Sequence, residues 1–312
     1  MRVLVTGGAG FIGSHVVRAV LAAGHEALVL DDLSGGKREN LPPGVELIVE
    51  DVREPGLMKS LAGRGIAAVS HHAAQISVPE SVKDPLTDAQ VNVVGTLNLL
   101  QCASAWGARR FIFISSGGAV YGEPEYVPVR EDHPIRPLAP YAVSKLCGEN
   151  YLDYFARCRD LDTVTLRYSN VYGPRQIPHG EAGVVAIFMD ALLEGREPTI
   201  YCPEGMPEGC LRDYIYVKDC ARANVLALTA GAGAYNLGTG VTTSTLGIWR
   251  AIQAAAGQSL GHHLGPFRPG DLLRSALDSR RAGAELGWQP QYDLTRGIAE
   301  TWAWRTGQSE EA

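Results

Sequence analysis

Residues Arg2-Val3-Leu4-Val5-Thr6-Gly7-Gly8-Ala9-Gly10-Phe11-Ile12-Gly13 decide how this chain folds. The opening run is apolar and rich in β-branched side chains. Glycines follow at 7, 10 and 13, and Val16, Val17, Val20 and Leu21 then recur at helical spacing. That order predicts strand, tight turn, helix. Gly7 makes the turn, Gly10 lets the backbone approach a pyrophosphate, and Gly13 lets the helix sit close to the strand. The spacing is not G-x-G-x-x-G, but the physics is the same. A helix opening at Phe11 and Ile12 turns free N–H groups and a positive dipole end toward phosphate.

The next residues fit that reading. Gly24 ends the helix, Ala27–Leu30 forms a second strand, and Asp31-Asp32 follows. An acid about 20 residues beyond the glycines suits a ribose 2′-hydroxyl. Asp31 would repel a 2′-phosphate, which favours NAD over NADP, although Lys37 and Arg38 lie close behind. Val45–Val49 reads as a third strand ending near Asp51-Val52. Asp51 is placed to accept from an adenine amino group with Val52 on the ring; the alternative is a helix N-cap. A fourth strand at Ala67–Ser70 opens into His71-His72-Ala73-Ala74-Gln75, where Ala73 and Ala74 let backbone lie against a cofactor. Adjacent histidines on a strand point to opposite faces, so they read as structural, and no metal site is expected.

Asp88–Trp106 carries apolar residues at helical spacing, interrupted by the amide of Asn92. Arg110–Ile114 is almost wholly apolar, as a central parallel strand covered on both faces requires. It leads into Ser115-Ser116-Gly117-Gly118-Ala119-Val120-Tyr121-Gly122. A proline-rich loop follows, then Tyr141-Ala142-Val143-Ser144-Lys145 on a new helix, and a sixth strand at Asp162–Tyr168. Six strands alternating with helices predict an α/β doubly wound parallel sheet over residues 1–170. Residues 171–312 change character. They predict a smaller α/β substrate-binding portion, with helices near 184–194, 219–229, 245–256, 279–286 and 294–305, and strands near 199–201 and 214–217. Some of these elements are expected to return to the first domain.

Bulk properties narrow the class. The 312 residues carry a net charge of −6 with no basic block, which argues against a nucleic-acid partner. The six cysteines (102, 147, 158, 202, 210 and 220) form no CxxC pair and no zinc spacing. They are expected as reduced thiols in a cytoplasmic protein. No signal peptide precedes the first strand, and no apolar run is long enough to span a membrane.

Tyr141 and Lys145 stand four apart, so on a helix they share a face. Tyrosine is a poor base at neutral pH, but a nearby ammonium and an oxidised nicotinamide would both favour tyrosinate. Ser116, at the mouth of the neighbouring strand, can hydrogen-bond the same substrate hydroxyl. Together they make a proton-transfer group, its tuner and an orienting donor beside a hydride acceptor.

The motifs above, with Arg167-Tyr168-Ser169-Asn170-Val171-Tyr172-Gly173-Pro174-Arg175 and Arg212-Asp213-Tyr214-Ile215-Tyr216-Val217, resemble those of the extended short-chain dehydrogenase/reductases. Within that superfamily the chain is most similar to the NAD-dependent UDP-glucose 4-epimerases, over nearly its whole length. The resemblance implies a Rossmann fold, tightly held and recycled NAD, and a UDP-sugar substrate. It gives Tyr141 the proton of the sugar 4-hydroxyl, with Ser116 assisting and Lys145 tuning Tyr141 and holding the nicotinamide ribose. Asn92, Ser115 and Ser169 match cofactor-side positions. Asn170, Arg212 and Arg268 match contacts to the nucleotide diphosphate, and Asp271 one to the uridine ribose. Arg212 has a plainer reading as a salt bridge to Asp213 or Asp219. A homodimer is expected through the two helices around Asp88–Trp106 and Tyr141–Cys158.

Two departures from the pattern matter. Gly117 stands where many members carry a third Ser or Thr, so the assisting hydroxyl is Ser116 or, in reserve, Ser115. Ile76 replaces a lysine found near the phosphates in some members. Dehydratases and decarboxylases of the superfamily place acids where this chain has Gly118-Ala119. A uronate or N-acetylhexosamine 4-epimerase stays open, as does a cofactor-binding sensor without turnover.

Overall fold

A computed structural model describes residues 1–178, 183–267 and 271–309. The first half contains β1 (Arg2–Thr6), α1 (Phe11–Ala22), β2 (Glu26–Leu30), β3 (Glu46–Ile48), α2 (Leu57–Ser60) and β4 (Ile66–His71). It continues with α3 (Val78–Lys83), α4 (Pro85–Ala89), α5 (Gly95–Trp106), β5 (Arg110–Ser116), α6 (Gly117–Val120), α7 (Pro140–Cys158) and β6 (Asp162–Tyr168). The second half adds β7 (Asn170–Tyr172), α8 (Val184–Leu193), β8 (Thr199–Cys202), β9 (Leu211–Tyr216), α9 (Val217–Ala227) and β10 (Gly233–Leu237). It ends with β11 (Thr242–Ser244), α10 (Thr245–Ala256), β12 (His263–Pro266), β13 (Arg274–Ser275), α11 (Arg280–Leu286) and α12 (Leu294–Arg305).

Seven parallel strands form the central sheet in the order β3-β2-β1-β4-β5-β6-β10. Strand order reverses between β1 and β4, and ligands of such sheets bind outside the strand C-termini at that point. The glycine loop after β1 and the His72–Ala74 segment after β4 flank it. Alternation along β1 feeds both faces. Val3 and Val5 join Val16, Val164, Ala223 and Trp288 on one side, while Leu4 joins Leu28, Leu99, Phe113 and Leu152 on the other.

The seventh strand was not expected from the sequence. Gly233–Leu237 is short and opens on a glycine, and its fourth residue, Asn236, is buried. It becomes a strand by pairing with Val164–Tyr168. Asn236 is satisfied there by the Tyr121 hydroxyl and the Val129 carbonyl. Residues of α9, β10 and α11 share one core cluster with β1 and α1, so part of the second half packs on the first-half sheet. The rest builds a separate core around Phe188, Ile200, Trp249 and Trp302.

The Asp88–Trp106 helix also differs. Helical backbone begins at Pro85, capped by Asp84, and a π-turn at Gln90–Val94 joins α4 to α5. Asn92 lies in that turn. Elsewhere β9 starts three residues earlier and α9 two residues earlier than expected.

Candidate active site

The glycine loop shows why the sequence cannot vary there. Gly7 has φ of +64° and packs so tightly that a Cβ would stand 2.6 Å from Ala73 N. A Cβ on Gly13 would stand 2.1 Å from Gly7 O, because α1 lies directly on the loop. Gly10 precedes α1 without a side-chain cap, so the N–H groups of its first turn, from Phe11 onward, remain available to a ligand. Asp31 latches this loop. Its Oδ2 accepts the Ala9 N–H at 2.8 Å and its Oδ1 accepts the Leu33 N–H at 2.9 Å. Burial holds the Asp31 carboxyl above the usual carboxylate range. Asp32 is exposed and accepts from Ser34.

The other cofactor-side candidates are distributed around the switch point. Ala73 and Ala74 follow β4, and Ala73 N–H reaches Thr6 Oγ1. Val52 is buried in the core cluster of α5. Asp51 forms an Asx turn and ion pair with Arg53, which holds its carboxyl below the usual range; helix α2 begins further on, so Asp51 caps no helix. Asn92 spends its amide inside the protein. It donates to Gln75 O, Asp88 Oδ1 and Ser144 Oγ and accepts from Gln75 N–H, which ties the loop after β4 to the π-turn. Ser169 directly follows β6, with its Oγ buried and unpartnered among the described residues. A tight glycine cradle, a bare helix N-terminus and an orphaned hydroxyl at a strand end together fit a dinucleotide.

Helix α7 carries the candidate reactive groups. Pro140 starts it, and Ser81 Oγ accepts the Tyr141 N–H at 3.1 Å, a cap lent by α3. Tyr141, Lys145 and Glu149 follow at four-residue steps on one face. The Ser116 hydroxyl lies close enough to the Tyr141 phenol to oppose the upward shift that burial gives it. Ser115 donates instead to Glu149 Oε1 at 2.6 Å, within a buried ion pair of Glu149 with Arg167. The structure therefore brings Ser116 to Tyr141 and engages Ser115 elsewhere.

Lys145 Nζ lies 5.2 Å from the Phe113 ring centroid and 5.8 Å from that of Tyr141. Burial lowers the Lys145 amine to about 8 against the raising effect of Asp88 and Glu149. Burial pushes the Tyr141 phenol up to about 12, with Asp88 adding and Ser116 opposing. In the protein by itself the expected tuning by Lys145 is outweighed by desolvation. His71 is buried and His72 half-buried, desolvation holds both neutral, and they bond to neighbouring hydroxyls. Among the described residues no cluster of potential ligands could hold a metal ion. All six cysteines are free thiols.

Among the candidate substrate contacts, Asn170 stands opposite Tyr214 where β7 pairs with β9. Asn170 donates to Asp213 O at 3.1 Å. Arg212 donates to the carbonyls of Leu211 and Leu272. Neither acid of its plainer reading takes it. Asp213 accepts from Thr239, Gly240 and Leu277, and Asp219 from Gln291, Tyr292 and Arg222. Asp271 is exposed and close enough to act on the Cys210 thiol. Arg268 lies outside the described residues. Gly118 and Ala119 sit in α6 and offer no proton donor. Asp88, Ser144, Glu149 and Arg167 were not expected among the site residues. Of these only Glu149 had a signal, its place four residues beyond Lys145.

Residues 3–238 match the model of the NAD dependent epimerase/dehydratase family. A UDP-glucose 4-epimerase of Mycolicibacterium smegmatis is 47% identical over 308 residues, covering 96% of this chain and 97% of that one. A crystal structure of UDP-glucose 4-epimerase from Thermotoga maritima with UDP-glucose is similar at a TM-score of 0.94 and 40% identity, covering 99% of both chains. That of Thermus thermophilus UDP-glucose 4-epimerase with NAD is similar at 0.92 and 47% identity, covering 99% of this chain and all of that one.

Proposed function

The chain belongs to the NAD-dependent epimerase/dehydratase family, and from that premise we propose that it is an isomerase inverting C4 of a UDP-hexose, interconverting UDP-galactose and UDP-glucose through a transient 4-keto sugar. The observation that carries this is the Ser116–Tyr141–Lys145 group at the C-terminal end of β5, beside a glycine cradle fit for a dinucleotide. The absence of an acid at Gly118-Ala119 favours epimerisation over elimination.

NAD supplies a hydride acceptor that returns the hydride, and its positive nicotinamide lowers the cost of ionising Tyr141. The protein's own groups do the rest. Tyr141 takes the proton of the sugar 4-hydroxyl and gives it back, Ser116 orients that hydroxyl, and Lys145 adds positive charge beside the phenol. Gly7, Gly10, Phe11, Ile12 and Gly13 seat the pyrophosphate, and Asp31 the adenosine ribose. Asn170, Arg212, Arg268 and Asp271 serve the nucleotide of the substrate. Residues 1–170 form the NAD-binding part and 171–312 the nucleotide-sugar part, with α9, β10 and α11 returning to the first.

A homodimer is part of the same proposal. Val82, Leu86, Val94, Val143 and Tyr151 leave large apolar side chains exposed on α3, α4, the π-turn and α7, which suits helix packing between two copies. A monomeric mass by light scattering would refute it. No helix among the described residues is long and apolar enough to cross a membrane; we place the enzyme in the cytoplasm, in galactose metabolism.

The deciding experiment mixes purified protein with UDP-galactose and a trace of NAD and follows sugar anomeric signals by NMR. UDP-glucose appearing without net NADH supports the reading. Conversion of UDP-glucuronate alone would move the substrate to uronates, and retention of NAD without any sugar turnover would leave a sensor.

A further inference from the structure

We propose that Asp88 is a positioning residue for the Tyr141–Lys145 pair: held by Gln75 and Asn92 beneath the first turn of α7, it is the counter-charge that keeps the Lys145 side chain an ammonium. The inference rests on the function proposed above, which uses that ammonium beside Tyr141.

Asp88 is 1% exposed at the end of α4. Its Oδ1 accepts from Gln75 Nε2 and from Asn92 Nδ2, both at 3.0 Å. Both contacts come from amide NH2 groups, which only donate. The same Asn92 amide reaches Ser144 Oγ at 3.3 Å, and Ser144 donates to Tyr141 O at 2.9 Å. The carboxylate is thus linked through Asn92 to Ser144, three residues after Tyr141 and one before Lys145. The π-turn helps by setting Asn92 over Asp88, one helical step away.

The surroundings of Lys145 single Asp88 out. From its own helix Lys145 faces Tyr141 and Glu149, and from β5 the Phe113 ring. From the end of β4 and the residue after it come His71 and His72, both held neutral by desolvation. Two carboxylates act on it, Asp88 and Glu149. Glu149 is bonded through both oxygens to Arg167 of β6, so its charge is largely cancelled. Asp88 has only neutral amide partners among the described residues. A buried ammonium without such an anion loses its proton.

The test is the titration of Lys145 itself. In protein carrying lysine labelled with 13C at the ε carbon, the Lys145 signal is assigned by its loss in Lys145→Met. Wild type should titrate near pH 8. Asp88→Asn keeps the volume and an acceptor oxygen and should lower the midpoint by about one pH unit, the size expected for one neighbouring charge. Asp88→Glu should restore it. Asp88→Ser gives a second neutral variant if Asp88→Asn does not fold. A merely structural role predicts the opposite sign, because loosening admits water and carries Lys145 up toward its ordinary value. An unchanged or raised midpoint in the neutral variants overturns the proposal. The readout needs no sugar, so it stands apart from turnover. If wild type epimerises UDP-galactose and Lys145 does not shift, Asp88 is discarded and the function stands. If Lys145 shifts and no UDP-sugar reacts, the function falls and the coupling remains.

Discussion

Ser116, the last residue of β5, stands close enough to Tyr141, in the first turn of α7, for its hydroxyl to favour the ionised phenol. Ser115, one residue earlier, gives its hydroxyl to Glu149. The two serines should therefore behave differently. Ser116→Ala should lower kcat about 100-fold and move the acid side of the rate profile to higher pH, because the lost hydroxyl favours the ionised phenol. Ser115→Ala should leave kcat within about threefold and cost roughly 1 kcal/mol of stability. Steady-state kinetics and urea unfolding of the pair check this. The reverse pattern would return the assisting role to Ser115.

Tyr141 should change its ionisation when the cofactor is present. With its phenol pushed up to about 12, it stays protonated at neutral pH in the free protein. A positive charge close to the ring lowers that value, so tyrosinate absorbance at 295 nm should appear at least about one pH unit earlier with NAD bound. Tyr141→Phe supplies the blank and should lose about 1,000-fold or more in kcat. Coincident titrations with and without NAD would remove nicotinamide charge from the mechanism.

Lys145→Met should stabilise the protein while abolishing turnover. Lys145 is 5% exposed, and burial lowers its amine from 10.5 to about 8. The unfolded chain therefore binds the proton more tightly, and wild type carries a penalty that is complete below pH 8. As pH rises from 8 to 10.5 the penalty fades. The methionine variant escapes it, so its advantage should be on the order of 3 kcal/mol at pH 7 and shrink through that window. Thermal unfolding at pH 7 and pH 10 tests the sign. An advantage that grows with pH would contradict it.

These contrasts mark where sequence is informative. Val3, Leu4 and Val5 can be assigned from composition because a central strand buries both faces, and Tyr141 and Lys145 from helical spacing alone. Gly233–Leu237 could not be, since its strand character comes from pairing with β6 and from partners for Asn236 that lie about a hundred residues away. Asp88 and Arg167 look like ordinary surface charges in a sequence. Only the packed structure shows one held by amides and the other locked to Glu149. Likewise Asn92 is visible as a break in a helix, but the direction of its amide toward Gln75 and Asp88 depends on the π-turn.

Arg212→Ala should raise KM for the UDP-sugar with little effect on NAD affinity. Its guanidinium is held by the carbonyls of Leu211 and Leu272, and Asp213 and Asp219 are occupied by backbone amides, so neither cancels its charge. A guanidinium held this way is ready for a diphosphate, and its loss should cost about 100-fold in kcat/KM. Arg212→Lys should recover only part, since a lysine lacks the planar fork. Titration with NAD alone should match wild type. A variant with intact KM would place the nucleotide diphosphate elsewhere.

Asp31→Asn separates two jobs that the carboxylate performs together. As a latch, Asp31 offers one oxygen to the Ala9 N–H and the other to the Leu33 N–H. Asparagine has a single acceptor oxygen, so whichever way its amide turns, an NH2 group meets one of those two N–H donors and a bond is lost. The glycine loop then loosens, and NAD affinity should fall about 10-fold to 100-fold. As a charge, Asp31 repels a 2′-phosphate, and that repulsion vanishes in the variant while Lys37 and Arg38 stay in the following loop. NADP should therefore lose less affinity than NAD, and the ratio between them should narrow. Calorimetric titration with both cofactors separates the effects. Equal losses would leave only the latch, and unchanged affinity for both would take Asp31 out of the cofactor site.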